Sequence, residues 1–126
     1  MKLRINGNSL RLRLGPSEVR RLLRDARVQE TIRFAPESDA TLTYALELGS
    51  SDLPVTLRYD PGEVTVLLSH AQAQSWADSD RIAIAADIDV GSGFLGILIE
   101  KDFACLDRSE EENEDTFPHP KAGAVC

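Results

Sequence analysis

The sequence predicts an α+β fold of about eight mostly antiparallel strands and two helices, built from a strand–strand–helix–strand–strand unit that occurs twice. Three observations carry this. Apolar residues alternate with polar ones over short stretches, turn residues separate those stretches, and two windows replace the alternation with helical spacing. Sliding the sequence by about 54 residues then lays Leu3–Phe34 over Leu57–Ile88 without a gap. Leu10, Leu12 and Leu14 fall on Val64, Val66 and Leu68, while Val19, Leu22 and Val28 fall on Ala73, Trp76 and Ile82.

Each element has its own warrant. Lys2–Asn6 alternates, with Leu3 and Ile5 on one face and Lys2 and Arg4 on the other. Asn6-Gly7 is a hairpin signal, because a tight turn needs residues that tolerate positive φ. Leu10–Leu14 alternates again, with Arg11 and Arg13 outward. Gly15-Pro16-Ser17-Glu18 opens a helix, with proline at its first position and a carboxylate in its first turn. Its buried stripe is Val19, Leu22, Leu23 and Ala26, and Arg20, Arg24 and Arg27 line the exposed side. Val28–Phe34 and Thr41–Leu48 follow as strands, then Val55–Tyr59, a turn at Asp60-Pro61-Gly62, and Val64–Leu68. Ser69-His70-Ala71-Gln72 reads as a capping box for a helix that reaches about Trp76. Ile82–Ile88 and Phe94–Lys101 are the final strands. Short connections favour antiparallel neighbours, and the apolar faces must be covered by the helices. One large twisted sheet, two half-sheets and a curled, barrel-like sheet all satisfy this pattern.

The chain has 126 residues and reads as a single domain, 1–126, with repeat 1 at about 1–49, repeat 2 at about 54–103 and an acidic, proline-containing tail at 104–126. Two cysteines are too few for a disulfide-built fold. The strand-like start and the lack of any apolar run of membrane-spanning length point to the cytoplasm, with no membrane partner. The net charge of −7 is unevenly spread, since residues 1–34 hold nine basic and three acidic side chains and the remainder is acidic. Such a chain attracts itself or an acidic partner, and its bulk charge repels nucleic acid. In the tail, Asp107–Thr116 has the composition of a solvated, flexible run, and Phe117 between it and Pro118 is expected to dock on the body, the alternative being a disordered end.

Met1-Lys2-Leu3-Arg4, Asn8–Leu14, Trp76-Ala77-Asp78-Ser79-Asp80 and above all Glu100-Lys101-Asp102-Phe103-Ala104-Cys105-Leu106 resemble a family of short, uncharacterised bacterial proteins, known only as a domain of unknown function. The resemblance covers nearly the whole chain and implies a bacterial origin and a self-standing domain. It implies no activity, cofactor or catalytic residue.

Three constellations carry chemistry. Lys2, Arg4, Arg11, Arg13, Arg33 and Arg58 all stand opposite apolar positions, and gathered on one concave face they would cradle an anion with guanidinium forks. A curled sheet of that kind resembles the tunnel fold of the adenylate cyclase and thiamine triphosphatase superfamily. That resemblance implies a metal-dependent phosphohydrolase or polyphosphate binder, with Glu30, Glu47 and Glu100 holding a divalent cation. The departure is that Met1–Asn6 holds no carboxylate where the superfamily has alternating glutamates. The plainer reading is a solvated face on which Arg and Glu pair across strands. Cys105, His119 and Cys126 form the second set, with Asp102 or Asp107 beside them, and would take zinc if the tail folded back; the plainer reading is a half-buried Cys105 and a free Cys126, a disulfide between them being conceivable but disfavoured in a reducing cytoplasm. The third is the basic first helix, with Arg20, Arg21, Arg24 and Arg27, a surface for an acidic partner, an anionic lipid or the protein's own tail.

Catalysis by other means finds no motif: His70 and His119 are the only histidines, and His70 holds a helix-start position. The reading is a cytoplasmic, non-catalytic binding or interaction module that uses a basic first repeat and an acidic tail. Its partner is an acidic molecule or a second copy, with no cofactor beyond the zinc that the cysteine set could hold.

Overall fold

The computed structural model describes residues 1–50, 52–105 and 108–121. Its elements run β1 (Lys2–Asn6), β2 (Ser9–Leu14), α1 (Pro16–Asp25), β3 (Arg27–Arg33), β4 (Thr41–Gly49), β5 (Val55–Asp60), β6 (Glu63–Ser69), α2 (His70–Asp78), β7 (Ala83–Asp89) and β8 (Phe94–Lys101). The strand–strand–helix–strand–strand order is therefore present twice. The strands form two four-stranded sheets and do not close into a barrel: sheet A has the order β1-β2-β8-β7, and sheet B the order β3-β4-β6-β5.

Each sheet takes one hairpin from each half of the chain. The hairpins are antiparallel, as their short turns dictate, but the central contacts β2–β8 and β4–β6 are parallel. In sheet A Ser9 pairs with Gly96 and Leu14 with Lys101; in sheet B Glu63 pairs with Thr43 and Leu68 with Leu48. The two sheets thus repeat one register with the halves exchanged, so neither half can complete a sheet alone.

The repeat differs from the gapless reading in its third strand. Buried Val28 on β3 is matched by buried Ile84 on β7, not by Ile82, which precedes β7 and is 46% exposed. One residue joins α1 to β3, whereas the four residues Ser79–Ile82 join α2 to β7. A shift of two residues leaves a period-two alternation in phase, so the pattern alone does not reveal it.

The inner faces of both sheets and the apolar stripes of both helices bury one cluster. Its centre holds Leu12, Leu14 and Ile99 from sheet A, Leu46, Val66 and Leu68 from sheet B, and Leu22 and Trp76 from the helices. Fully burying side chains of this size stabilises by about 1.5–3 kcal/mol each. The Trp76 indole N–H donates to the Ile82 carbonyl at 3.1 Å, which satisfies its one polar atom inside the core.

Local signals set the helix ends. The Glu18 carboxylate accepts from the Gly15 amide at 3.1 Å, and also from the Met1 amino group. α1 stops at Asp25 because Ala26 adopts a left-handed conformation, φ 64°, and returns its N–H to the Leu22 carbonyl at 2.9 Å. The Ser69 hydroxyl caps α2 by accepting from the Gln72 amide at 3.2 Å. The Gln72 side chain does not close a capping box but accepts from Arg81 at 2.9 Å.

The tail docks. The Asp102 amide donates to the Leu14 carbonyl at 2.9 Å, and Phe117 pairs with Phe103 in a parallel bridge. The Phe117 ring packs against the core, as its place between acidic run and proline predicts. The acidic run is turned rather than extended: Ser109 caps a short turn through the Glu112 amide, and the Asp115 carboxylate reaches the start of α1. No described helix is long and apolar enough to cross a membrane.

Candidate functional site

The outward face of sheet A is laid out by strand register. Lys2, Arg13, Glu100 and Ala83 form one row across the four strands; Arg4, Arg11, Leu98 and Ala85 form the next; Asn6, Ser9, Gly96 and Asp87 form the third. Alternation sends these side chains away from the core, so the face combines long cations on β1 and β2 with small residues on β7 and β8. The outcome is a shallow basin of about 510 Å3, with Arg4, Asn6 and Arg11 on one side, Asp87 on the other, and Gly96 and Leu98 beneath.

The charges on this face are not all paired. Glu100 accepts from Arg13 at 2.7 Å and lies 3.4 Å from Arg11, so one carboxylate serves two guanidiniums. Lys2 turns to Asp102 at 2.6 Å, and Arg108 from the tail holds the other oxygen of that carboxylate at 3.1 Å. Asp102 itself is only 4% exposed. Among the described residues Arg4 and Asp87 make no side-chain ion pair or hydrogen bond, and both are exposed.

Sheet B shows the contrast. The sheet registers put Arg58 in the position of Arg4, and Glu47 in that of Glu100. Arg58 pairs with Glu47 at 3.2 Å, and Arg27 bridges Glu47 and Glu63 at 2.8 Å each. Burial pushes the Glu47 carboxyl up, but hydrogen bonds from Arg27 and Arg58 outweigh it and hold the group below the usual carboxylate range. Two cations face two carboxylates here, and the face is neutral.

The six cations expected to form one cradle are therefore divided. Lys2, Arg4, Arg11 and Arg13 share the outside of sheet A. Arg58 is neutralised on sheet B, and Arg33 donates to the Glu37 carbonyl at 2.7 Å beyond the end of its strand. All four sheet A cations face outward while the space between the sheets is apolar, so no tunnel lined by arginine is formed. Glu47 and Glu100 stand on the outsides of different sheets, and Glu30 lies 3.3 Å from the Met1 amino group. Glu30, Glu47 and Glu100 do not converge on a cation.

Of the helix arginines, Arg20, Arg21 and Arg24 are exposed on α1, and Arg24 pairs with the adjacent Asp25 at 2.8 Å. Arg27 is not on the helix: the left-handed Ala26 ends α1 first, and Arg27 opens β3. The tail contributes Asp115, whose carboxylate accepts from the Ser17 amide at 3.1 Å and from the Ser17 hydroxyl at 2.5 Å. Those hydrogen bonds hold it below its ordinary range, with Arg20 assisting.

The cysteine set lies apart from the basin. Cys105 is buried and framed by Asn113, which accepts from its amide at 2.9 Å and donates to its carbonyl at 2.7 Å; contrary to the expectation of a reduced cysteine, it is not a free thiol. His119 stacks edge-on against Phe103, with ring centres 6.0 Å apart, and its Nδ1 accepts from the Lys121 amide. Cys126 and Asp107 fall outside the described residues. Among those described, no three His, Cys, Asp or Glu side chains are grouped to hold a metal.

Asp87 and Gly96 are the basin residues that sequence reasoning missed. A glycine inside an otherwise apolar strand was the available signal, since it marks a place where something approaches the backbone closely. A Cβ on Gly96 would lie 3.2 Å from the Ser9 side chain and 3.8 Å from an Asp87 oxygen. Reading that signal requires knowing that β8 lies beside β2, and these strands come from opposite ends of the chain.

The chain belongs to a family of unknown function, DUF7009, whose model matches residues 1–121. No curated protein matches it, and no solved structure does.

Proposed function

We propose that this protein is a non-catalytic binding module whose working surface is the outside of sheet A, where Arg4 and Arg11 receive a carboxylate or phosphate of the partner. One observation carries the reading: Arg4 has no counter-charge among the described residues, whereas Arg58, its counterpart on sheet B, is neutralised by Glu47. A guanidinium presents a planar fork of donors that suits a two-oxygen anion, and a second guanidinium alongside raises local anion concentration. The basic first repeat supplies these cations. Asp102, held from the other side by Arg108 of the tail, draws Lys2 to one end of the face and away from Arg4. The basin offers no nucleophile paired with a base, so the chemistry that these residues support is recognition rather than turnover.

The test compares the two equivalent arginines. Fluorescence anisotropy with a labelled glutamate-rich hexapeptide, at low and at high salt, should show binding that Arg4→Gln abolishes and Arg58→Gln leaves within a factor of two. Equal losses in both variants, each checked for folding by circular dichroism, would refute the assignment.

A further inference from the structure

We infer that the sheet A basin takes a small bipolar ligand, an extended molecule with a carboxylate or phosphate at one end and an ammonium at the other. This rests on the anion-binding reading of Arg4 and Arg11 and adds to it the opposite wall. The motivating juxtaposition is charge of opposite sign on the two sides of an uncharged stretch of β8: unpaired Arg4 on β1, with Arg11 beside it on β2, and unpaired Asp87 on β7, across Gly96 and Leu98.

Had Asp87 been within reach of Arg4 or Arg11, the pair would have closed and the basin would be neutral. Instead β7 is separated from β2 by β8 and from β1 by β2 and β8, which at about 4.8 Å per strand places the backbones of Arg11 and Arg4 on the order of 10 and 14 Å from that of Asp87. Side chains standing off the sheet leave a gap between the charges that water or a ligand must fill. The floor explains why a ligand can lie there. Gly96 carries no side chain, Ala85 a methyl group, and the Asp87 carboxylate leans over Gly96 with an oxygen 3.8 Å from where a Cβ would sit. Leu98 gives the middle of the floor an apolar patch, suited to a methylene chain rather than to a compact ion. A volume of about 510 Å3 lies within the few hundred to a thousand cubic ångströms usual for small-molecule sites. Charge at each end, apolar contact in the middle and cations two and three strands away from the carboxylate describe an ω-amino acid or a short peptide lying across the strands.

A length series tests this with defined probes. Straight-chain ω-amino acids from 4-aminobutanoate to 8-aminooctanoate, and hexanoate as the anion-only control, are titrated into 15N-labelled protein at low salt while the Gly96 and Asp87 amide signals are followed. The expected result is an affinity maximum at the six- to eight-carbon members, each at least fivefold tighter than hexanoate. Asp87→Asn should remove that advantage without weakening hexanoate. Gly96→Val retains every charge but fills the floor, and should weaken the amino acids and hexanoate together. If hexanoate and the amino acids bind equally, in a way that Arg4→Gln abolishes, the bipolar ligand is overturned while the anion site stands. If nothing binds, or Arg4→Gln changes nothing, both fall. Unchanged binding in Gly96→Val would overturn the placement across the floor.

Discussion

Asp102→Asn is the sharpest test of how the tail is held. The carboxylate accepts from Lys2 at 2.6 Å and from Arg108 at 3.1 Å, and it is 4% exposed. A hydrogen bond to a charged group is typically worth about 1.5–3 kcal/mol. Lys2 is 55% exposed and recovers water when released, so its share falls at the low end, while the half-buried Arg108 loses more. Asparagine keeps the volume and one acceptor, and the Asp102 backbone bonds to Leu14 and Phe117 are untouched. The expected cost is about 2 kcal/mol, discounted from the sum of two such bonds for solvent screening. For a domain of this length that lowers Tm by roughly 6–10 °C. Thermal and urea unfolding give the magnitude, and amide exchange at Ala104 and Phe117 gives the location. Lys2→Met made in the Asp102→Asn background should cost less than Lys2→Met alone, since the partner is already gone. A variant within 0.5 kcal/mol of the wild type, with unchanged exchange at Phe117, would refute this account of the anchor.

Three further outcomes follow from named contacts. The Ser17 hydrogen bonds depress Asp115, so its contribution is present above its ordinary value of 3.8 and lost as pH falls through the lower folded value. The wild type should therefore exceed Asp115→Ala in stability by about 0.5–1 kcal/mol at neutral pH, after discount for exposure, and this gap should close in acid. Gly15→Ala would drive its new Cβ into the Asp115 carbonyl and to 2.7 Å from a carboxylate oxygen. It should free residues 108–121 to proteolysis while α1 stays folded by circular dichroism. Trp76→Phe removes the hydrogen bond to Ile82 and leaves a void at a fully buried position, for an expected loss of about 2–3 kcal/mol in urea unfolding.

Much of the fold is legible in single residues. Leu10 to Leu14 alternate as a half-buried strand must, Pro16 and Glu18 mark a helix start, and Phe117 is an aromatic whose docking the pattern suggests beside a disordered end. What stays hidden is long-range. Nothing local says that Leu12 lies beside Ile99 or that Leu46 lies beside Val66, because parallel pairing between opposite halves leaves no turn to read. The two-residue slip between Val28 and Ile84 is invisible for a different reason, since alternation is blind to even shifts. The site divides in the same way. Lys2, Arg4, Arg11 and Arg13 are on one hairpin and could be grouped from sequence, whereas Arg33 and Arg58 fit the same pattern but belong to the other sheet. Gly96 and Asp87 become part of a site only once β8 and β7 are placed next to β2.

The unpaired Arg4 on sheet A is the centre of the account, and the guanidinium signals of the arginines report on it directly. Titration of 15N-labelled protein with inorganic phosphate at low salt should shift the Arg4 and Arg11 Nε–Hε resonances together and saturably, leaving Arg24 and Arg58 in place. Uniform, unsaturated shifts across all arginines, or none at Arg4, would contradict it.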